Sequence, residues 1–332
     1  MYIRTRSKCF QSGLTLIELM ISMVLALLLM GVLASIYINS FSIQMTDSRS
    51  VALEHDARNA MTLLIRDLSS AGYANGAPLG DVAVTGLTVT NDCSNLSSAL
   101  NMSVGLLAGR GDDGSITNCS IAANAKTGVY TGTYQTPADW VLVKGAIGVE
   151  IDSADLIDAD NVDVYKNRNF LIANTVSGKI FKTGSSSLAI PSGFERGVIR
   201  EYGFSLFYIN TSNQLALVQL KNGALQAPVV IADNVEALRV RVGTAPDGDS
   251  GVTQLTGLNA ATDGWGASDW NRVRSLEINL LVSTGTEPGY SDENVYQLGD
   301  VNYKAADSVK NKRRKLLTQT VFLYNLSYGQ TQ

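Results

Sequence analysis

The chain has 332 residues, 45% of them apolar and 17% charged, with 30 glycines against 6 prolines and a net charge of −4. These proportions describe a folded protein with a real core, neither disordered nor collagen-like, and the acidic balance argues against a protein that is basic as a whole and coats nucleic acid. One histidine and three cysteines exclude more: a Cys/His zinc site would need almost all of them, and a His-based triad could use only His55. Low charge density with plentiful Gly, Ser, Thr and Asn suits a β-rich exported domain with long polar loops better than a cytosolic enzyme.

The first element is a short basic leader, Arg4, Arg6 and Lys8, with no acid among them. After it comes Gly13-Leu14-Thr15-Leu16-Ile17-Glu18, and then no charge from Leu19 to Thr46. The twenty residues from Leu19 to Ile38 alone reach about 30 Å as a helix, the thickness of a bilayer's hydrocarbon core. No proline occurs before Pro78. We read one membrane-spanning helix, and the positive-inside rule places its N-terminus in the cytoplasm and the rest of the chain across the membrane. A secretory signal would carry its cleavage site after the apolar run, whereas the odd features here precede it. A carboxylate at the mouth of a membrane helix costs a few kcal/mol unpaired in lipid, so Glu18 needs a partner.

Glycine, glutamate and apolar run in this register resemble the type IV pilin and pseudopilin superfamily. Gly13 matches the residue before the cut, Leu14 the new N-terminus and Glu18 the fifth mature position. The resemblance implies a prepilin peptidase that cleaves between Gly13 and Leu14 and N-methylates Leu14. Glu18 lies one turn after Leu14 on the same helix face, where the carboxylate of one subunit can neutralise the amine of its neighbour in a dry filament core. The competing reading is a plain signal anchor with an accidental glutamate.

The helix continues beyond the membrane. Leu53, Ala57, Ala60, Met61, Leu64, Ile65 and Leu68 recur at spacings of three and four, with Arg49, Glu54, Asp56, Arg58, Arg66 and Asp67 on the other side. Ser69-Ser70-Ala71-Gly72 ends it, glycine being the natural C-terminal cap. His55, between Glu54 and Asp56, reads as a solvated helix-face residue rather than a pH sensor.

Strands are predicted at Val82–Thr90, Trp140–Val143 and Val198–Ile209. Residues 91–135 form a polar excursion with little apolar pattern. Cys9 leaves with the leader, so Cys93 and Cys119 are the one possible pair, and an oxidising periplasm would join them as a structural disulfide worth about 3 kcal/mol. Val240 and Val242, and Leu276, Ile278, Leu280 and Val282, alternate with Arg239, Arg241, Glu277 and Asn279. One buried and one wet face are expected, as in an antiparallel sheet laid over the amphipathic helix.

This last third carries a narrower resemblance, to PilW-type minor pilins. Val229 through Asn234-Val235-Glu236 to Gly243, Trp270-Asn271-Arg272-Val273 with Leu276 to Ser283, and Arg313-Arg314-Lys315 with Thr318 to Asn325 look like three strands of that family. Arg66 to Tyr73 matches the end of its long helix, while Tyr324 stands where arginine is usual. The stretch from 78 to 200 matches nothing.

The resemblance implies an α+β, pilin-like fold, a long N-terminal helix packed on an antiparallel β head. Its divisions are a leader (1–13), the helix (14–72, membrane part 14–38), a loop-rich β region with the disulfide (73–200) and a C-terminal sheet (201–332). It implies a minor pilin that primes assembly at the pilus tip, with other minor pilins, the major pilin, a PilY-type tip adhesin, prepilin peptidase and inner-membrane lipid as partners. Alternatives are a J-type pseudopilin of type II secretion and a membrane-anchored periplasmic binding or adhesive protein.

Smaller motifs remain. Lys310, Lys312, Arg313, Arg314 and Lys315 put five cations in six residues and could contact a polyanion such as DNA. Without the leader's three cations, however, the chain has 23 basic against 30 acidic residues, a net charge of −7, which favours a solvated or subunit-facing patch. Arg110-Gly111-Asp112 is a chance tripeptide. Asp112-Asp113-Gly114, Asp247-Gly248-Asp249 and the run from Asp158 to Asp163 lack EF-hand spacing and read as turns rather than calcium sites. No nucleophile with a base, phosphate loop or spaced metal ligands stands out, so neither enzyme nor cofactor is expected.

Overall fold

The structure is a computed structural model that describes residues 15–93, 96–184, 189–194, 196–245 and 254–326. The chain divides into two compact units, residues 1–52 and 53–332. One helix, Leu16–Ser69, runs through both, and among the described residues it alone is long and apolar enough to cross a membrane. In the first unit its apolar side chains, from Leu16 to Met45, are exposed.

In the second unit the helix turns an apolar stripe inward. Ala57, Ala60, Met61, Leu64 and Leu68 are buried in one core cluster. Two alanines let the helix backbone approach the sheets closely, while the larger side chains fill the space between. The same cluster takes Val141, Val143 and Phe207 from one face of an upstream sheet and Val240, Leu276, Ile278 and Leu280 from a downstream one. One helical face thus closes two sheets.

The downstream sheet is antiparallel, in the order Gln254–Gly257, Val235–Thr244, Val273–Ser283, Arg314–Phe322. Its core-facing side chains are those whose alternation the sequence displays, and Val240, Val242, Leu276, Ile278 and Leu280 are all at 0% exposure. The opposite face corrects the expectation of a wet surface: Arg239 and Asn279 are also buried. A hairpin, Val295–Leu298 with Val301–Lys304, builds a second small core with Ala237, Leu281, Leu298, Val301 and Tyr303.

The upstream sheet has nine strands, ordered Val82–Thr85, Gly178–Lys182, Asn169–Ala173, Val198–Ile209, Trp140–Ile151, Leu106–Gly109. Leu215–Lys221 also pairs with Val198–Ile209 and carries two short strands, Ala224–Leu225 and Val229–Ala232. The predicted Val198–Ile209 strand is present with those bounds, Val82 begins a shorter strand and Trp140 a longer one. This sheet runs continuously through residue 200 as far as Ala232. A third cluster, Leu156, Phe170, Ile172, Phe181, Phe194 and Ile199, buries its far side. Asn169–Ala173 is therefore covered on both faces and has no alternation to read.

The helix ends against this sheet. Ser70 and Ala71 close the last turn, and Gly72, at φ +70°, adopts the left-handed cap that glycine tolerates best. Gly72 N donates to the Lys144 carbonyl (2.8 Å) and Ala146 N to the Tyr73 carbonyl (2.6 Å). The approach is so close that a Cβ on Gly145 would lie 2.3 Å from the Ser70 carbonyl oxygen.

Candidate functional site

Gly13 and Leu14, the expected processing site, lie outside the described residues, as does Asp247-Gly248-Asp249. The next residues form a capping box. Thr15 N and Thr15 Oγ1 both donate to Glu18 Oε2 (3.0 and 2.9 Å), and Glu18 N donates to Thr15 Oγ1 (3.4 Å). Thr-x-x-Glu satisfies otherwise orphaned amides at the helix start and sets a carboxylate on the positive end of the helix dipole. Glu18 is exposed, with Oε2 engaged by its own helix.

At the far end of the chain, two residues of the quoted C-terminal motifs find each other. Arg314, its side chain at 0% exposure, donates from Nε and Nη2 to the two oxygens of Glu236 (2.6 and 3.1 Å) and from Nη1 to Asp292 (3.1 Å). Tyr303 Oη donates to the same Glu236 carboxylate (2.5 Å). Burial would raise the Glu236 carboxyl, but the bonds from Arg314 and Tyr303 outweigh it and hold it below the usual range. Arg239 repeats the device, gripping Asp300 through Nε and Nη2 (2.9 and 2.7 Å) and Asp139 through Nη1 (3.3 Å). Asp139 also accepts from Tyr130 Oη (2.6 Å) and Val240 N (2.7 Å). Two buried arginines thus latch the covering hairpin and its flanking loops to the sheet.

The basic run is not an open patch. Lys310 pairs with Glu293 and Asp307, Lys312 with Glu236 at 4.0 Å, Arg313 with Glu287 and Arg314 as above. Lys315 reaches Glu54 on the long helix. The carboxylates that meet these cations come from four separate stretches of sequence.

Cys93 and Cys119, both buried, are joined in a disulfide. Loop-closure entropy for a separation of 26 residues predicts that Cys93→Ser/Cys119→Ser loses about 3 kcal/mol. Urea denaturation of the two proteins checks this; equal midpoints would contradict it. Beside this loop lies a lysine that the sequence did not single out. Lys144, at 0% exposure, donates from Nζ to Ser97 Oγ (2.7 Å) and to the Ser98 and Asn101 carbonyls. Burial pushes its ammonium down to about 7.

An unfolded lysine holds its proton to about pH 10.4, so between pH 7 and that value the unfolded state binds more protons and stability rises with pH. Relative to Lys144→Met, the native protein should therefore gain about 2 kcal/mol from pH 7 to 9. Parallel pH profiles of the two urea midpoints would refute this.

The remaining candidates occupy ordinary surroundings. His55 is exposed, with Nδ1 3.1 Å from Asn59 Nδ2. Arg110 is bound to Asp263 (2.7 Å) and Asp112, so its tripeptide is not presented as a free loop. Asp158 Oδ1 accepts from Asp160 N (3.0 Å) as in a turn. Among the described residues, no group of three or more His, Cys, Asp or Glu is placed to hold a metal ion. A groove of about 630 Å³ opens beside the helix end, between Arg66, Asp67, Tyr73, Gly145, Gly203 and Lys221.

Residues 9–34 match the family model described as prokaryotic N-terminal methylation motif, and residues 206–325 the one described as type IV pilus-assembly protein W. A search of curated proteins returns no match. Among solved structures, a type IV-like pilin from Thermus thermophilus is 15% identical, with 82% of this chain and 98% of that one covered and a TM-score of 0.36. That likeness carries no part of the assignment.

The prepilin methylation motif, one long apolar helix and a β head support the class, a type IV pilin. Within it, the match over the C-terminal sheet supports a PilW-type minor pilin. The motif and the apolar helix mark a membrane-anchored precursor and imply prepilin peptidase and other pilus components as partners. Family and fold are those of a structural subunit.

Proposed function

We propose that the chain is cut between Gly13 and Leu14, N-methylated at Leu14 and built into a type IV pilus at its tip, where it primes assembly. The observation that carries this reading is the union of the methylation motif and the PilW region on one chain, joined by one helix. Arg4, Arg6 and Lys8 hold the leader in the cytoplasm, which leaves residues 73–332 on the periplasmic side before incorporation. About 260 residues follow the helix, a bulk that is hard to repeat closely along a thin fibre and that suits a rare cap. The neighbours proposed are other minor pilins, the major pilin and a PilY-type tip adhesin.

Glu18 serves assembly. In the fibre it exchanges the bond to its own Thr15 for the methylated amine of a neighbouring subunit, removing two charges from lipid together. Glu18→Ala is therefore expected to be cleaved normally yet to fall more than about tenfold in sheared fibres, since leaving a charge unpaired costs a few kcal/mol. Mass spectrometry of the N-terminal peptide in sheared-surface and envelope fractions tests both statements. Methylated Leu14 in sheared fibres supports the reading. The same peptide confined to the envelope favours a secretion pseudopilin, and an intact Met1 leader overturns it.

A further inference from the structure

All three tryptophans of the chain, Trp140, Trp265 and Trp270, line one cavity of about 230 Å³ in the β head. They come from separate segments: Trp140 opens a strand of the upstream sheet, while Trp265 precedes and Trp270 ends a short helix, Ala267–Trp270, before the Val273–Ser283 strand. Trp265 and Trp270 meet edge to face at 5.1 Å, with Trp265 half-buried. Three indoles around one space form a π-rich wall that attracts cations.

The polar part of the lining is acidic. Asp113 Oδ1 accepts from Ser115 N and Oγ (2.8 and 2.6 Å), whereas its Oδ2 has no partner among the described residues. Gly109 is what lets that carboxylate and the Trp140 ring converge, since a Cβ there would lie 2.7 Å from Asp113 Oδ2 and 2.3 Å from Trp140 Cζ2. Among the described residues no cation pairs with Asp113. Arg110, three positions away, is committed to Asp263 and Asp112 and stacks over Tyr130. Burial holds the Asp113 carboxyl above the usual range, with the like charges of Asp263 and Asp112 adding to it.

The lining also tells against other ligands. Ser115 Oγ is spent on Asp113 and Thr262 Oγ1 on the Asn259 carbonyl, Ser97 Oγ already accepts from Lys144, and Trp140 Nε1 is buried. A sugar would meet few free donors. A primary ammonium carries three N–H donors that each need an acceptor, and Asp113 Oδ2 is the one free carboxylate oxygen here. A cation without N–H groups is suited on both counts. The volume lies below the roughly 300–1,000 Å³ of sites that enclose a drug-sized molecule, so it fits one head group.

We propose that the Trp140–Trp265–Trp270 cavity is a binding site for a quaternary ammonium group, held by the indole faces and balanced by Asp113. The test is titration of tryptophan fluorescence on the full chain in polyoxyethylene detergent, which contains neither choline nor sugar. Choline should give a saturable change with a dissociation constant of order 1 mM, as expected for a few cation–π contacts. Its neutral isostere 3,3-dimethylbutan-1-ol should bind at least about tenfold more weakly. Asp113→Asn, which keeps the shape and the acceptor for Ser115, should weaken choline to a similar extent, and Trp265→Leu should abolish the response with circular dichroism unchanged. A phosphocholine arm separates carriers: binding there means that the group can arrive on a phosphorylated head group, and binding of choline alone means a free quaternary ammonium alcohol. Equal response to the neutral isostere, tighter binding of methyl glucoside, or no response to choline would each overturn the proposal.

Discussion

Arg314→Met is expected to remove about 3–5 kcal/mol of stability, the cost of stripping the cation from a buried pair. The substitution leaves Glu236 and Asp292, at 6% and 1% exposure, without the guanidinium that bonds both. Methionine fills the volume but donates no hydrogen bond, so the two carboxylates must take up protons or draw in water. Pairing Arg314→Met with Glu236→Gln removes the stranded charge at its main partner, and the double variant should lose clearly less than the sum of the singles. Equilibrium urea denaturation of the four proteins supplies the cycle. A single-variant loss under about 1 kcal/mol would mean that the pair behaves as a surface contact.

Acid should release the same latch. Glu236 is held below its usual range in the folded chain, so its contribution is complete above the unfolded value near 4.3 and drains away as pH falls through the lower, folded one.

Gly145→Ala is the second large effect expected. The new Cβ would meet the Ser70 carbonyl at 2.3 Å, with Tyr73 N at 3.2 Å, and these are backbone atoms that cannot rotate away. Helix end and strand must separate, which strains the two hydrogen bonds Gly72 N–Lys144 O and Ala146 N–Tyr73 O. Overpacking of this kind costs about 1–3 kcal/mol, and rigid backbone on the opposing side puts this site at the upper end. Gly80→Ala is the control, because nothing lies within 4 Å of its Cβ position. Thermal denaturation should separate the two variants by several degrees, and equal melting would show that the helix end is not seated as described.

Much of the architecture was readable because period and composition signalled it directly. The apolar run announces itself by length and lack of charge, while the stripe from Leu53 to Leu68 and the alternation through Val240 and Leu276–Val282 each carry a buried face where their period predicts it. The polar stretch 91–135 concealed the strand Leu106–Gly109, because a four-residue strand with no wet face has no alternation. Arg239 and Asn279 misled for the opposite reason: polar residues opposite an apolar row read as solvated until a hairpin covers them. The candidate site divides the same way. Glu18 stood out as a lone carboxylate, while its bond to Thr15 was not expected, although the three-residue Thr-x-x-Glu spacing carries that signal. The Glu236–Arg314 pair joins residues 78 apart and the Arg239–Asp139 pair residues 100 apart, distances over which charge pattern alone names no partner. Lys144 gave no signal, since its burial depends on a loop closing over it.

The long helix also sets a timetable. Glu54 meets Lys315 across 261 positions, and Ser69 receives a bond from Asn325 across 256. The helix emerges first from synthesis, yet its apolar stripe is sealed by strands that arrive last. Contacts of such separation form slowly, because a long loop must close before any of them is gained. Until the C-terminal strands are made, the part of the stripe that shares a core with Val240, Leu276, Ile278 and Leu280 therefore stays uncovered. Throughout that interval the nascent head is a template for misassociation, and rapid completion of the chain or a chaperone that shields apolar surface would shorten that exposure.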